Sequence, residues 1–300
     1  EAVIVVKFEK KDTPQKVNIK LFRQGPKDIR LNDTKISQKE LIGTLNTVIF
    51  CPEDLQLIKG TPSGRRRFLD MEISQTSATY YHQLMQYNRL LQQRNAVLKE
   101  YRGKQNIPLE EWDLQLADMA SFIVKKRLES LKKINLLIDL MNRKLTGGLE
   151  NLTIGYEQPY MDNGSLEYTK EGFYERIKAA LPQDRHRMTT SVGPHRDDLR
   201  FFSDAMDLKK FGSQGQQRTA VLSLKLSELE FIKSEVGEYP VLLLDDVLSE
   251  LDESRRANLL QFIHKRIQTF ITTTDIHDFK DLKSVQFISC EGGKVQYGQP

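Results

Sequence analysis

Two adjacent carboxylates at the end of an apolar run are the sharpest chemical feature of this 300-residue sequence. Val241 to Asp246 reads VLLLDD. Four apolar residues predict a strand buried on both faces, with the acids at its C-terminal end, where open α/β sheets place their ligands. Neighbouring carboxylates repel unless a cation or a shared proton offsets the repulsion. Asp245 is thus suited to hold Mg²⁺, directly or through water, and Asp246 to act on an attacking water. The bland alternative is a pair of acids capping the next helix. Upstream, Phe211 to Arg218 (FGSQGQQR) opens a predicted long helix with Ser213, Gly215 and Gln216. A helix start offers unpaired N–H groups, and glycine lets backbone approach an anion, so this stretch could read phosphate. Its alternative is an ordinary N-cap with a flexible lead-in.

These two stretches need a scaffold. The first fifty residues predict an antiparallel, half-exposed sheet: strands at 2–8, 17–22 and 29–31, then a more buried strand over 45–51 stopped by Pro52. From Pro62 to Leu145 the periodicity is helical. Tyr80, Leu84, Tyr87, Leu91, Leu98 and Tyr101 form one stripe; Trp112, Leu116, Met119, Ile123, Val124, Leu128, Leu131, Ile134, Ile138 and Met141 form another. A long antiparallel helical hairpin follows, parted at 103–108 and ended by Gly147-Gly148. Beyond Glu150 the expectation is a strand at 152–156, a helix over 165–181, and a hairpin over 189–202 turning at Gly193-Pro194. Alternating helix and strand then give a parallel α/β layer, closed by a hairpin at 286–297. The domain reading is 1–60 with 150–300 as one discontinuous lobe and 61–149 as a helical arm.

Composition bounds the function classes. Lys and Arg number 45 against 41 Asp and Glu, and 39% of residues are hydrophobic, which fits a folded globular chain rather than a disordered one. No apolar run approaches the ~18 residues of a membrane span. Two cysteines exclude a disulfide framework and are expected as buried thiols in a reducing cytoplasm. The five histidines show no zinc spacing. Charge is unevenly spread: Thr61 to Glu150 holds fifteen Lys/Arg and ten Asp/Glu, leaving thirty against thirty-one elsewhere. The densest clusters, Arg65-Arg66-Arg67 and Lys125-Lys126-Arg127, are candidate DNA contacts, or solvated faces and partners of nearby acids.

Taken together, SQGQQR about thirty residues before LLLDD, and then Ser249 to Asp252 (SELD), resemble ATP-binding-cassette ATPases. More narrowly, Phe50 to Leu55 (FCPEDL), Gly64 to Asp70 (GRRRFLD), Ser191 to Asp198 (SVGPHRDD), Phe211 to Arg218 and Pro240 to Asp252 are similar to the RecF family of bacterial recombination-repair proteins, in that family's order. The resemblance implies a mixed α/β cassette head of the SMC type with an inserted helical lobe. It further implies that Ser213, Gly215 and Gln216 form a signature motif reading the γ-phosphate across a homodimer. By the same resemblance Asp245 holds Mg²⁺, Asp246 fills the general-base slot, Ser249 and Asp252 belong to a D-loop, and Glu53 and Asp54 mark a Q-loop equivalent. ATP and Mg²⁺ are the implied cofactors. Double-stranded and gapped DNA, RecR and RecO are the implied partners, with recombinase loading as the outcome and the cytoplasm as the place.

Three departures qualify that picture. Gln214 replaces the usual first signature glycine, which is the RecF form. Thr274 precedes Asp275 where many relatives carry a switch histidine, so slow turnover is expected. No G-x-x-x-x-G-K-[ST] loop occurs in the sequence. The chain opens in mid-strand without Met, and a preceding strand–loop–helix segment of roughly 30 residues or more is expected. The competing classes are a non-hydrolysing cassette-fold DNA-binding scaffold and a transporter's nucleotide-binding subunit, whose helical lobe would be shorter.

Overall fold

The computed structural model describes residues 1–102, 108–160, 168–274, 279 and 285–297. The chain opens with a four-stranded antiparallel meander, β1 (Ala2–Lys10), β2 (Thr13–Leu21), β3 (Asp28–Leu31) and β4 (Thr34–Ile36). Lys11-Asp12 and Asn32-Asp33 turn with positive φ at both positions, the backbone twist that two-residue hairpins favour. β5 (Thr47–Phe50) leads through a 3₁₀ turn, Pro52–Leu55, into α1 (Gln56–Lys59). The helices α2 (Pro62–Thr76), α3 (Ala78–Glu100) and α4 (Glu110–Thr146) follow. Ser77, in extended backbone, breaks α2 from α3 and caps α3 by accepting from the Tyr80 N–H at 3.2 Å. Both expected stripes face inward, with Tyr80, Tyr87, Leu116, Ile123 and Ile138 at 2% exposure or less. α4 ends at Gly147, whose φ of 68° is the left-handed helix cap that glycine favours. The expected break at 103–108 falls mostly outside the described residues.

After β6 (Leu152–Glu157), α5 (Lys170–Ala179) starts behind Thr169, whose hydroxyl accepts from the Gly172 N–H, and α6 (Leu181–Arg187) is a separate helix. The helix expected over 165–181 is α5, with 161–167 outside the described residues, and α6 follows as a further helix that the reading did not include. The hairpin expected over 189–202 does not form. Pro194–Arg196 is a 3₁₀ turn, and β7 (Asp198–Ser203) pairs antiparallel with β6 and with β8 (Met206–Asp207) instead. The physical reason is Thr190: its N–H and hydroxyl bond to Asn95, and its carbonyl takes Arg196, so it has no ladder to offer.

The four-residue helix α7 (Leu208–Phe211) precedes α8 (Gln214–Val236), which is apolar around most of its girth because α4 packs on one side and β5 on another. β9 (Val241–Asp245), α9 (Glu253–Ile263), β10 (Thr269–Thr272) and a final hairpin, β11 (Ile288–Glu291) with β12 (Lys294–Tyr297), complete the chain. β10, β9 and β5 form a parallel sheet with β9 central, in the register Phe50–Leu244–Ile271. The expectation that β9 is buried on both faces is corrected. Leu242 and Leu244 are 1% exposed, whereas Leu243 is half-buried between Ile49 and Phe270, both more than half exposed. The helical layer of α8 covers only one face. One apolar core runs continuously from this sheet into α2–α5. The two thiols are not buried: Cys51 is half-buried, with its pKa pushed up to about 11 by burial and by Asp54, and Cys290 is exposed.

Candidate functional site

The C-terminal end of β9 carries the acidic pair into solvent. Asp245 lies beside Thr272 in the parallel register, and its Oδ1 accepts from the Thr272 hydroxyl at 2.7 Å. That same hydroxyl oxygen accepts from the Asp246 N–H at 3.1 Å. Asp246 sits at φ 53°, a left-handed conformation that Asp tolerates better than most residues, and its carbonyl accepts from Ser249 Oγ at 2.8 Å. Thr272 is a positioning residue that the sequence reading missed; the clue was its place at the end of the neighbouring TFIT strand. A single exposed, oriented carboxylate suits Mg²⁺, which takes one or two carboxylates and completes its shell with water and phosphate oxygen.

Ser213 caps α8 through a reciprocal pair: its Oγ accepts from the Gln216 N–H at 3.2 Å, and Gln216 Oε1 accepts from the Ser213 N–H at 3.0 Å. Gln216 Nε2 also donates to Glu150 at 3.1 Å, tying the cap to the loop before β6. The N–H groups of Gln214 and Gly215 have no intrahelical acceptor at this helix end. Among the described residues nothing crowds Gly215. A Cβ there would lie 3.9 Å from its nearest neighbours, so its missing side chain opens space outward rather than easing internal packing. The cap therefore fits an approaching phosphate. No hydrogen bond joins Ser213 or Gln216 to Asp245 or Asp246 among the described residues.

The segment after the acids runs back toward the cap. Asp252 caps α9, accepting from the Arg255 N–H at 2.9 Å, and pairs with the Arg255 side chain. Arg255 Nε donates to Thr219 Oγ1 at 2.9 Å, bridging the first turn of α9 and the second turn of α8. Glu53 is exposed, but Asp54 turns in: it accepts from the Cys51 N–H and lies 3.3 Å from Lys225 of α8. Lys225 also meets Glu228 at 3.3 Å, with Glu72 of α2 close by. Burial raises Glu72 to about 7 and lifts Glu228 well above the carboxylate range, because one ammonium faces three carboxylates. Asp275, beside the expected switch position, lies outside the described residues.

The two basic clusters divide by face. Arg65 is 3% exposed and forks onto Asp198 at 2.7 and 2.8 Å. Arg127 is 2% exposed and meets both oxygens of Asp70 at 3.0 Å, the Pro194 carbonyl at 2.7 Å and Asp197 at 3.4 Å. Neither can present its charge to DNA, which corrects that expectation for both. Burial disfavours the Arg127 cation, but Asp70 and Asp197 with Tyr80 and Tyr156 outweigh it and hold it charged. Arg66 is half-buried with one N–H on the Asp197 carbonyl, Arg67 and Lys125 are exposed, and Lys126 pairs with Glu129 at the surface. Two motifs that stood apart in the sequence, GRRRFLD and SVGPHRDD, thus interlock.

No protein-family model matches the chain. The DNA replication and repair protein RecF of Alkaliphilus oremlandii is 46% identical over 286 residues, covering 94% of this chain and 78% of that protein. RecF of Clostridium botulinum strain Eklund 17B is 45% identical over 296 residues, covering 97% and 81%. A solved structure of the recombination mediator protein RecF with ATPrS in the RecFOR pathway superposes with a TM-score of 0.88 at 34% identity, covering 99% of this chain and 81% of that one. An Smc head bound to the winged-helix domain of ScpA, at 13% identity and a TM-score of 0.53, shares the fold alone. The chain belongs to the RecF family of DNA replication and repair proteins.

Proposed function

We propose that two copies of this chain pair head to tail around ATP and close on duplex DNA near single-strand gaps. In this reading Ser213, Gly215 and Gln216 of one copy receive the γ-phosphate bound to the other. Asp245 is the protein ligand of Mg²⁺, held in place by Thr272. The bound metal supplies charge neutralisation at the phosphates. Asp246 orients and deprotonates the attacking water. Ser249 and Asp252 carry the state of the acids to the cap through Arg255, and Glu53 and Asp54 link it to α2. Turnover is weak and DNA-stimulated, and requires a G-x-x-x-x-G-K-[ST] loop that these 300 residues do not contain. Residues 1–60 and 150–300 act as the ATPase lobe and 61–149 as the arm. Arg66, Arg67, Lys125 and Lys126 give sequence-independent, salt-dependent DNA affinity. RecO and RecR are the proposed partners in loading recombinase.

The observation that carries this reading is that one chain offers both an open phosphate-fitting cap and an exposed, oriented carboxylate, with no hydrogen bond between them among the described residues. Nucleotide shared between the halves then stabilises the dimer by linkage. Ser213→Arg places a long cation in the phosphate space, and sedimentation should show that ATP no longer drives dimerisation. An ATP-dependent dimer that survives this change would place the nucleotide elsewhere.

A further inference from the structure

Between α2, α3 and the Pro194–Arg196 turn lies a cleft of about 390 Å³, within the ~300–1,000 Å³ range of small-ligand sites. Its floor is chemically closed. His195 Nε2 faces the Thr190 carbonyl at 3.0 Å, so that nitrogen carries the proton, and Nδ1 accepts from the Tyr87 hydroxyl at 2.6 Å. Burial pushes His195 down to about 4, leaving an uncharged ring with both nitrogens satisfied at neutral pH. Gly193, at φ 129°, makes this contact possible, since a Cβ there would lie 2.3 Å from the Tyr87 oxygen. Asp70 gives its oxygens to Arg127 and Tyr80.

The walls are different. Arg66 spends one N–H on the Asp197 carbonyl. The side chains of Arg67, Tyr81 and Asn88, which line the cleft, make no hydrogen bond among the described residues. Arg66 is lowered by burial first and by the charge of Arg127 next. A bound anion would offset the repulsion from Arg127. Asp197 and Asp198 are engaged by Arg127 and Arg65, and Arg67 is the wall cation that meets no carboxylate among the described residues.

We propose that this cleft takes one unpaired nucleotide, its phosphate between Arg66 and Arg67 and its base on the Tyr81 ring. Guanidinium groups beside an aromatic face suit a phosphate with an attached base, the chemistry shared by a free nucleoside monophosphate and by one unit of a single strand. The proposal rests on the reading that this chain acts on nucleic acid, but it uses none of the residues assigned to ATP.

The test is fluorescence anisotropy on the full chain with a labelled oligothymidylate and, separately, a covalently closed duplex circle. Tyr81→Ala should weaken the oligothymidylate roughly tenfold, as loss of one stacked base does, and leave the circle unchanged. Tyr81→Phe should restore binding, and Arg67→Ala should weaken both probes. Thymidine monophosphate that competes assigns the cleft to free nucleotide; failure to compete, with the Tyr81 effect intact, assigns it to a strand. Oligothymidylate affinity unchanged by Tyr81→Ala overturns the proposal, and so does an equal loss on the circle. If the circle does not bind while the Tyr81 effect persists, the duplex reading falls and the cleft stands.

Discussion

Two buried ionic centres, alike in burial, are opposite in balance. Around Arg127, guanidinium groups meet aspartates in near parity: Arg127 takes Asp70 and Asp197, Arg65 takes Asp198, and Arg66 leans on the same turn. Around Lys225, a single ammonium faces Asp54, Glu72 and Glu228, and a buried oxygen on each glutamate accepts no hydrogen bond among the described residues. The first centre is a fixed clasp between α2, α4 and the 194–198 turn. The second holds a titratable proton between α2, α8 and the turn after β5. Charge ratio, not burial, separates a static joint from a pH-sensitive one.

The largest expected effect is at the balanced centre. Arg127→Met leaves Asp70 and Asp197 without their cation, and stranding a buried charge costs ~3–5 kcal/mol. That is a large part of a typical ~5–15 kcal/mol stability. The urea midpoint should fall sharply, with Lys126→Ala, at the preceding residue and paired at the surface, within ~0.5 kcal/mol of wild type. Equal midpoints for the two variants would erase the distinction between the faces.

Next comes the carboxylate-rich centre. Glu72 binds a proton in the folded state up to about pH 7, whereas its ordinary value is 4.5. Between those values the folded protein holds more protons than the unfolded one, so this group makes stability fall as pH rises, by up to ~1.4 kcal/mol per pH unit for each extra proton. His195 acts in the opposite sense. Its depressed value of about 4 means the unfolded state binds the extra proton below 6.5, so its contribution is lost as pH drops. Glu72→Gln isolates the first term. Its melting temperature should match wild type near pH 5 and exceed it near pH 8 by ~2–4 °C per kcal/mol gained. A constant offset across that range would mean that Glu72 does not titrate there.

Legibility from sequence tracks how local the physics is. The Ser213 cap, the Gly147 stop, the acid pair at a strand end and the helical stripes all follow from neighbours within a few residues, and each stands where expected. The 189–202 hairpin was misread because Thr190 and Asp197 are recruited by Asn95 and Arg127, partners about 95 and 70 residues away. The half-open face of β9 was misread for a similar reason: VLLL states hydrophobicity but not how many layers cover it. Thr272 and Lys225 were invisible as partners of Asp245 and Asp54, since only parallel pairing and helix packing bring them together.

The basic triplets sharpen the comparison at its small end. Successive helix positions are about 100° apart, so three consecutive cations cannot share a face. In Arg65-Arg66-Arg67 the first is buried, the second half-buried and the third exposed; in Lys125-Lys126-Arg127 the order reverses. Arg67 touches no carboxylate among the described residues, so Arg67→Ala should change stability by no more than ~0.5 kcal/mol, while Arg65→Ala strands Asp198 and should cost several times that. Salt dependence gives the complementary reading: if Arg67 contacts phosphate, its loss lowers the slope of log affinity against log salt by ~1. Arg65→Ala should lower thermal stability and leave that slope alone in the fraction that folds. A slope change from Arg65 and none from Arg67 would mean that the inward and outward faces of α2 are assigned the wrong way round.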